Sequence, residues 1–143
     1  MIAGILVTSI GNFGQKNFYH AQEIGLAKAM GVHYEKVIVY KAIDESKASK
    51  PEHRKITKNV EIREIPVRSW GINGRWDCRF MEPYLDILVY FSDTQLALPG
   101  VYQWCSKHNV RLVPYIGVFN SHSPSFLRRA VMAVLSKKKS GYL

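Results

Sequence analysis

The stretch that decides the fold is Ile2-Ala3-Gly4-Ile5-Leu6-Val7-Thr8, followed at once by Ser9-Ile10-Gly11-Asn12-Phe13-Gly14. The first part is a short apolar run, which is typical of a strand buried on both faces of a parallel sheet. The glycines after it indicate a tight turn. The sequence therefore predicts a buried strand that leads through a glycine-containing turn into the next element.

Strand and helix patterns alternate along the rest of the chain. Elements of this kind predict a single α/β domain over residues 1–143, Rossmann-like, with a parallel sheet and helices on both faces. The predicted elements are a helix from Phe18 to Gly31, a strand over Lys36–Tyr40, a polar surface loop over Asp44–Asn59, an edge strand over Val60–Val67, a loop with a short helix over Ser69–Glu82, a strand over Asp86–Phe91, a helix over Leu98–His108, a strand over Arg111–Val118 and a helix from Ser123 to Lys139.

Composition restricts the class of protein. A chain of 143 residues fits one domain, and a hydrophobic share of 47% is too high for a disordered chain. Two cysteines exclude a disulfide framework and a four-cysteine zinc site. The sequence has no apolar run long enough to span a membrane, and the N-terminus lacks the basic region of a signal peptide. We therefore expect a cytoplasmic protein.

The net charge of +9 is concentrated in the second part of the chain. Residues 94–143 contain seven Lys or Arg and no Asp or Glu, whereas residues 1–93 have a net charge of only +2. Such a distribution favours a surface that meets an anionic partner, although a solvated face is the ordinary alternative.

The final predicted helix is both basic and amphipathic, which suits peripheral contact with an anionic membrane. Its apolar residues fit packing on the sheet equally well. Nucleic acid is an unlikely partner, because few aromatic residues are interleaved with the basic ones. The candidate membrane-contact residues are Arg128, Arg129, Lys137, Lys138 and Lys139.

In an open parallel sheet, ligands bind beyond the carboxyl ends of the strands, where the strand order reverses. The first strand and the Asp86–Phe91 strand are expected to flank that point. Backbone N–H groups in the first loop suit an anion or a sugar hydroxyl, although a simple tight turn is the alternative. The pattern is not G-x-G-x-x-G, and no acidic residue ends the Lys36–Tyr40 strand, which argues against a dinucleotide site. The candidate substrate-binding residues are Gly11, Asn12, Phe13, Gly14, Gln15, Ser92, Thr94 and Gln95.

Two residues near these loops are candidate catalytic groups. His20 lies in the first predicted helix and Asp93 follows a strand, and either side chain at a crevice suits a general base acting on an acceptor hydroxyl. A surface histidine and a helix-capping aspartate are the structural alternatives. The five histidines show no metal-binding spacing, so no metal site is predicted.

Several of these residues carry a resemblance to a known family. Gly11-Asn12-Phe13-Gly14, followed by Gln22-Glu23-Ile24-Gly25-Leu26-Ala27-Lys28-Ala29, resembles the start of a family 4 glycosyltransferase. The strands Asp86-Ile87-Leu88-Val89 and Arg111-Leu112-Val113-Pro114-Tyr115-Ile116-Gly117-Val118 are similar to later strands of the same N-terminal half. The resemblance covers most of residues 1–130.

The resemblance implies a two-domain GT-B enzyme with a cleft between two Rossmann-like halves. The N-terminal half binds the acceptor, the C-terminal half binds a nucleotide-sugar, and transfer usually retains configuration without a bound metal. Gly11–Gly14 would then approach the acceptor and the donor phosphates, and Ser92–Gln95 would line the acceptor side. Many members have a histidine in the later loop, whereas this chain reads Ser92-Asp93-Thr94-Gln95, which leaves Asp93 as a substitute candidate.

The donor half of that family carries a pair of glutamates, and this chain has no acidic residue after Asp93. We therefore expect an acceptor-binding N-terminal domain that is inactive alone and is completed by a C-terminal donor-binding domain or a complementary subunit. Its partner ligand would be a saccharide or lipid-linked sugar acceptor. No cofactor is expected in this chain, and a nucleotide-sugar donor is expected in the complete enzyme. The alternative is a stand-alone Rossmann-like module for a phosphate-bearing ligand or a protein partner.

Overall fold

The fold is a mixed α/β arrangement, seen in a computed structural model that describes residues 1–10, 21–70, 73–92 and 96–115. Its elements are β1 (Ile2–Val7), α1 (Ala21–Met30), β2 (Lys36–Asp44), β3 (Glu52–Lys55), β4 (Val60–Val67), β5 (Ser69–Trp70), β6 (Asn73–Gly74), a 3-10 turn (Cys78–Phe80), β7 (Ile87–Phe91), α2 (Leu98–His108) and β8 (Arg111–Tyr115).

Six of the strands form one sheet in the order β3-β4-β2-β1-β7-β8. Every neighbouring pair is parallel except β3 and β4, which run antiparallel. The short strands β5 and β6 form a separate antiparallel two-stranded sheet. The prediction of an α/β chain with a mostly parallel sheet is therefore confirmed.

The prediction that Val60–Val67 is an edge strand is wrong. β4 has the predicted bounds, but it pairs with β2 on one side and with β3 on the other. β3 lies inside the stretch predicted to be a surface loop and reads Glu-His-Arg-Lys, so it has no apolar alternation to reveal it. Pro66 lies beyond Glu64, the last β4 residue paired with β3, so its missing N–H is not needed on that side.

Other predicted elements agree more closely with the structure. α2 has the predicted bounds, Leu98–His108. β2 is longer than predicted and continues to Asp44, because Lys41 pairs with both β1 and β4 and the next three residues pair with β4. The stretch Ser69–Glu82, predicted to be a loop with a short helix, contains a 3-10 turn and also two short strands that were not predicted. The final predicted helix and the end of the last predicted strand lie outside the described residues.

Alternate strand residues contribute to two main apolar clusters, as the side-chain alternation of a strand requires. The first cluster includes Leu6, Ile38, Tyr40, Leu88 and Tyr90 together with Leu98, Val101 and Cys105 of α2. The second includes Ala3, Ile5, Val37, Val39, Ile62 and Val89 together with Ala27 of α1.

The segment between β4 and β7 is held on the sheet by Arg63 of β4. Its guanidinium bonds Glu82 of that segment at 2.5 Å and Glu61 at 2.8 Å, and it lies 5.7 Å from the ring centre of Tyr40. The Tyr40 hydroxyl in turn accepts a hydrogen bond from the Glu82 backbone N–H at 3.1 Å. Burial alone would lower the pKa of Arg63, but the bonds to Glu82 and Glu61 raise it overall. Arg63 therefore remains charged and fixes the segment in place.

Candidate ligand-binding site at the carboxyl edge of the sheet

The order of strands reverses at β1, which lies between β2 and β7. β1 pairs with β7 from Ala3 opposite Ile87 to Leu6 opposite Tyr90, so the two strands end at the same edge of the sheet. The predicted adjacency of the first strand and the Asp86–Phe91 strand is confirmed. Ligands of open parallel sheets bind at this position, which makes the edge between β1 and β7 the candidate site.

Four hydroxyl groups, called here the rim hydroxyls, join the ends of these two strands: those of Thr8, Ser9, Tyr90 and Ser92. Thr8 Oγ1 donates to Ser92 Oγ at 2.9 Å and lies 3.4 Å from the Tyr90 hydroxyl, and Ser9 Oγ lies 3.4 Å from Ser92 Oγ. Thr8, Tyr90 and Ser92 are buried, whereas Ser9 is half-buried. The rim hydroxyls therefore hold the strand ends together, and Ser9 is the member that solvent or a ligand can reach.

Burial raises the pKa of Tyr90, while the hydrogen bonds to Thr8 and Ser92 oppose the rise. The phenol is therefore neutral at physiological pH. A neutral phenol both donates and accepts hydrogen bonds, as do the other rim hydroxyls. The edge between β1 and β7 thus offers a network without formal charge that suits polar, uncharged groups.

The β5–β6 hairpin lies against the end of β1. The Gly74 N–H donates to the Thr8 carbonyl at 2.9 Å, and Ser9 forms an antiparallel bridge with Asn73. A Cβ at Gly74 would overlap Val67 Cγ2 and lie 3.1 Å from Ala42 Cβ, so this close approach requires glycine. The hairpin therefore forms a second wall beside the rim hydroxyls.

Trp76 follows the hairpin and packs among the apolar residues at the carboxyl ends of three strands. Its ring meets Tyr40 edge-on at 6.3 Å and lies 6.4 Å from the ring of Phe80. Its indole Nε1 is buried and has no hydrogen-bond partner in the part of the chain that the structure describes. It packs against an apolar cluster that consists of Ile10, which follows β1, Ala42 of β2, and Ile65 and Val67 of β4.

Three buried charged side chains lie close to the same edge. Lys41 of β2 is 1% exposed, and Glu23 of α1 and Glu64 of β4 are 2% and 3% exposed. Lys41 is opposite Val7 of β1 and opposite Glu64 of β4. Burial lowers the pKa of Lys41, while the carboxylates of Glu23 and Glu64 oppose that effect. This cluster joins the first turn of α1 to the sheet.

Sequence reasoning missed this cluster because Lys41 lies just beyond the predicted strand Lys36–Tyr40. Lysine and glutamate are almost always exposed, so each residue read alone indicates a surface position. The available signal was that Lys41 interrupts the run from Val37 to Ile43, which the structure buries throughout. A charge inside such a run indicates a buried ion pair when partners are near.

The two cysteines are free thiols in apolar surroundings. Burial raises the pKa of Cys78 to about 11 and that of Cys105 to about 12. Both thiols are therefore protonated at neutral pH and are poor nucleophiles. Neither supports a cysteine-based mechanism at this site.

Among the predicted site residues, the structure describes only Ser92, which it places in the rim hydroxyls. The others remain predictions, because they lie outside the described residues: Gly11, Asn12, Phe13, Gly14, Gln15, His20, Asp93, Thr94, Gln95, Arg128, Arg129, Lys137, Lys138 and Lys139. Sequence reasoning did not find Thr8, Ser9, Tyr90, Asn73 or Trp76 as components of this edge.

No protein-family model, curated protein or solved structure matches the chain. Within the four described ranges, no three His, Cys, Asp or Glu side chains are grouped so that they could hold a metal ion. The helices of those ranges are all too short or too polar to cross a membrane.

Proposed function

We propose that this chain is the acceptor-binding half of a GT-B glycosyltransferase and that a saccharide or lipid-linked acceptor binds between the ends of β1 and β7. The main support for the proposal is that β1 and β7 end next to each other at the same edge of the sheet, where a hydrogen bond of 2.9 Å from Thr8 Oγ1 to Ser92 Oγ joins them. It is supported by the resemblance of residues 1–130 to the N-terminal half of family 4 enzymes.

The proposal includes a Rossmann-like fold with helices on both faces of the sheet. Two observations support it: the buried residues of α2 share one apolar cluster with the sheet, and Ala27 of α1 belongs to the other. Alternate residues of a strand point to opposite faces, so the two clusters correspond to the two sides of the sheet.

The chemistry of the edge suits a sugar acceptor. Hydroxyl groups such as that of Ser9 both donate and accept, as sugar hydroxyls do. In the complete enzyme, the acceptor oxygen would form the new bond to the anomeric carbon as the nucleotide leaves, and Asp93 or His20 would take the hydroxyl proton. The nucleotide-sugar would be bound by a C-terminal domain or complementary subunit, so the chain alone transfers no sugar.

The test is whether the chain binds saccharides, measured by ligand-observed NMR with maltose, cellobiose, lactose and chitobiose. Ser9→Ala removes the half-buried rim hydroxyl, and we expect a loss of affinity of about twofold to tenfold for one hydrogen bond. Ser106→Ala is the matched control, because Ser106 is exposed in the last turn of α2, at the opposite edge of the sheet.

Equal affinity of both variants would place the ligand elsewhere. If none of the saccharides binds, the proposal is wrong, and binding of inorganic phosphate alone would instead support a stand-alone module for phosphate-bearing ligands. Sugar transfer by residues 1–143 with a nucleotide-sugar and no added protein would refute inactivity of the isolated half.

We also propose peripheral attachment of the complete enzyme to the cytoplasmic membrane face through the basic residues of the stretch 94–143. The support is the net charge of residues 94–143, seven Lys or Arg without an acidic residue. Flotation with phosphatidylglycerol vesicles should exceed flotation with phosphatidylcholine vesicles and should fall as salt is added. Equal flotation on both lipids, or flotation unaffected by replacing Lys137–Lys139 with Gln, would overturn this part.

A further inference from the structure

We propose that Trp76 is a ligand-binding residue whose indole N–H donates a hydrogen bond to an oxygen of the bound saccharide. The inference rests on the proposed function and adds a recognition residue to it. Trp76 Nε1 is buried and finds no acceptor among the residues that the structure describes. Buried donors are nearly always paired in native proteins, and an indole nitrogen can only donate, so this atom requires an acceptor.

The position of Trp76 relates it to the candidate site. Two residues earlier, the Gly74 N–H bonds the carbonyl of Thr8, which is one of the rim hydroxyl residues. Trp76 also packs against the apolar cluster that contains Ile10, the residue before the predicted substrate-binding loop Gly11–Gln15. The unsatisfied donor is therefore close to the end of β1, where the ligand is proposed to lie.

The surroundings of Trp76 hold its ring in place. Tyr40 contacts it edge-on, and the Tyr40 hydroxyl is itself held by the Glu82 N–H at 3.1 Å. Phe80 lies on a 3-10 turn that Asp77 caps by accepting from the Arg79 N–H at 2.9 Å. A donor held in this way loses little conformational entropy when a ligand binds, which favours its use in recognition.

The chemistry of the donor defines the class of ligand atom. An uncharged N–H suits a sugar hydroxyl or ring oxygen, and a phosphate oxygen is the other acceptor of comparable geometry. The rim hydroxyls at the end of β1 are also uncharged and both donate and accept hydrogen bonds, as sugar hydroxyls do. We therefore assign the Trp76 donor to a saccharide, and a titration with phosphate tests the other acceptor, because Lys41 lies near the same edge.

The experiment follows the side-chain indole N–H signals of the ¹⁵N-labelled chain. The sequence contains three tryptophans, so Trp→Phe variants assign each signal. The chain is titrated with maltose, cellobiose, lactose and chitobiose, and separately with inorganic phosphate. Trp76→Phe keeps an aromatic ring but removes the N–H, and Trp104→Phe is the control, because Trp104 lies on α2 with its ring 4.7 Å from His108.

We expect a saccharide to move the Trp76 indole proton downfield and Trp76→Phe to bind it about threefold to tenfold more weakly, with Trp104→Phe unchanged. Full affinity of Trp76→Phe together with an unmoved Trp76 signal would overturn the inference while leaving the proposed function intact. A Trp76 signal that exchanges with a buried water and ignores saccharide would overturn it too.

A response to phosphate alone would overturn the ligand class. If ligand-observed NMR detects no saccharide binding at all, the proposed function fails, and this inference fails with it. Thermal unfolding of Trp76→Phe checks that the variant folds. If it does not, the shift of the Trp76 indole signal in the unmodified chain decides the question.

Discussion

Replacing Lys41 by methionine is the sharpest test of how the carboxyl edge is built. Methionine keeps much of the length of the side chain but removes the ammonium group. The carboxylates of Glu23 and Glu64, which are 2% and 3% exposed, stay in place. Burial lowers the pKa of Lys41 despite these carboxylates, so the desolvation cost of its ammonium exceeds the attraction that they provide. We therefore expect Lys41→Met to be at least as stable as the unmodified domain.

The magnitude follows from the burial of all three groups. Replacing a buried ion pair or triad by uncharged residues of similar volume is often neutral or stabilises by about 1–4 kcal/mol. With a urea slope of about 2 kcal/mol per molar for a domain of this size, the unfolding midpoint of the triple variant Lys41→Met, Glu23→Gln, Glu64→Gln should rise by up to about 2 M. Lys41→Met alone should lie between the unmodified domain and the triple variant, because its two carboxylates can still be charged.

Urea unfolding followed by circular dichroism measures the effect. The matched control is Lys36→Met, five residues earlier on the same strand, where the lysine pairs with Glu61 at 3.0 Å but has a side chain 37% exposed. A surface pair of this kind contributes about 0–1 kcal/mol. A Lys41→Met variant that loses more stability than Lys36→Met would refute the reasoning, as would a triple variant less stable than Lys41→Met.

The pH dependence provides a second check on the same residue. Burial lowers the pKa of Lys41 in the folded state below its ordinary value of 10.5. Between the lowered pKa and 10.5 the unfolded chain binds more protons than the folded one, so Lys41 makes the free energy of unfolding rise with pH in that window. Lys41→Met should remove this rise, and an unchanged slope would contradict the lowered pKa.

Two further predictions concern glycine and cysteine. Gly74→Ala should destabilise the domain, because the added Cβ would overlap Val67 Cγ2. Gly25→Ala in α1, where a Cβ meets nothing within 4 Å, should instead raise the free energy of unfolding by about 0.5–1 kcal/mol. Urea unfolding of both variants tests this, and equal effects would contradict it. Burial raises the pKa of Cys78 to about 11 and that of Cys105 to about 12. Both thiols should therefore react slowly with iodoacetamide at pH 8 until urea unfolds the chain, which mass spectrometry measures. Rapid labelling of the folded chain would contradict these pKa values.

The buried charges and the unsatisfied indole lie on different parts of one edge, and they have different implications. Lys41 has carboxylates beside it, so its burial is explained by the fold itself. The Trp76 N–H has no such explanation within the described part of the chain. Local departures from full polar pairing are expected at functional sites, which is why Trp76 rather than Lys41 is assigned to the ligand.

Local sequence patterns are sufficient to predict the mixed α/β arrangement and its mostly parallel sheet. The apolar runs around Ile5, Val39 and Val89 and the helical pattern of Leu98–His108 are local periodicities, and each reports which faces of its own element are buried. Alternation of such elements along the chain then favours a parallel sheet in which β1 and β7 are neighbours. The adjacency of the two strand ends could therefore be predicted without coordinates.

Three features depend on long-range packing and could not be predicted: the pairing of β3, the burial of Lys41 and the lack of an acceptor for the Trp76 N–H among the described residues. β3 is charged throughout, and its strand conformation is stabilised by backbone bonds to β4 rather than by side-chain pattern. Whether a lysine is buried, or an indole N–H is paired, depends on groups far away in sequence that pack around it. Local periodicity contains no information about those groups, because it records one face of one element and not what the fold brings against it.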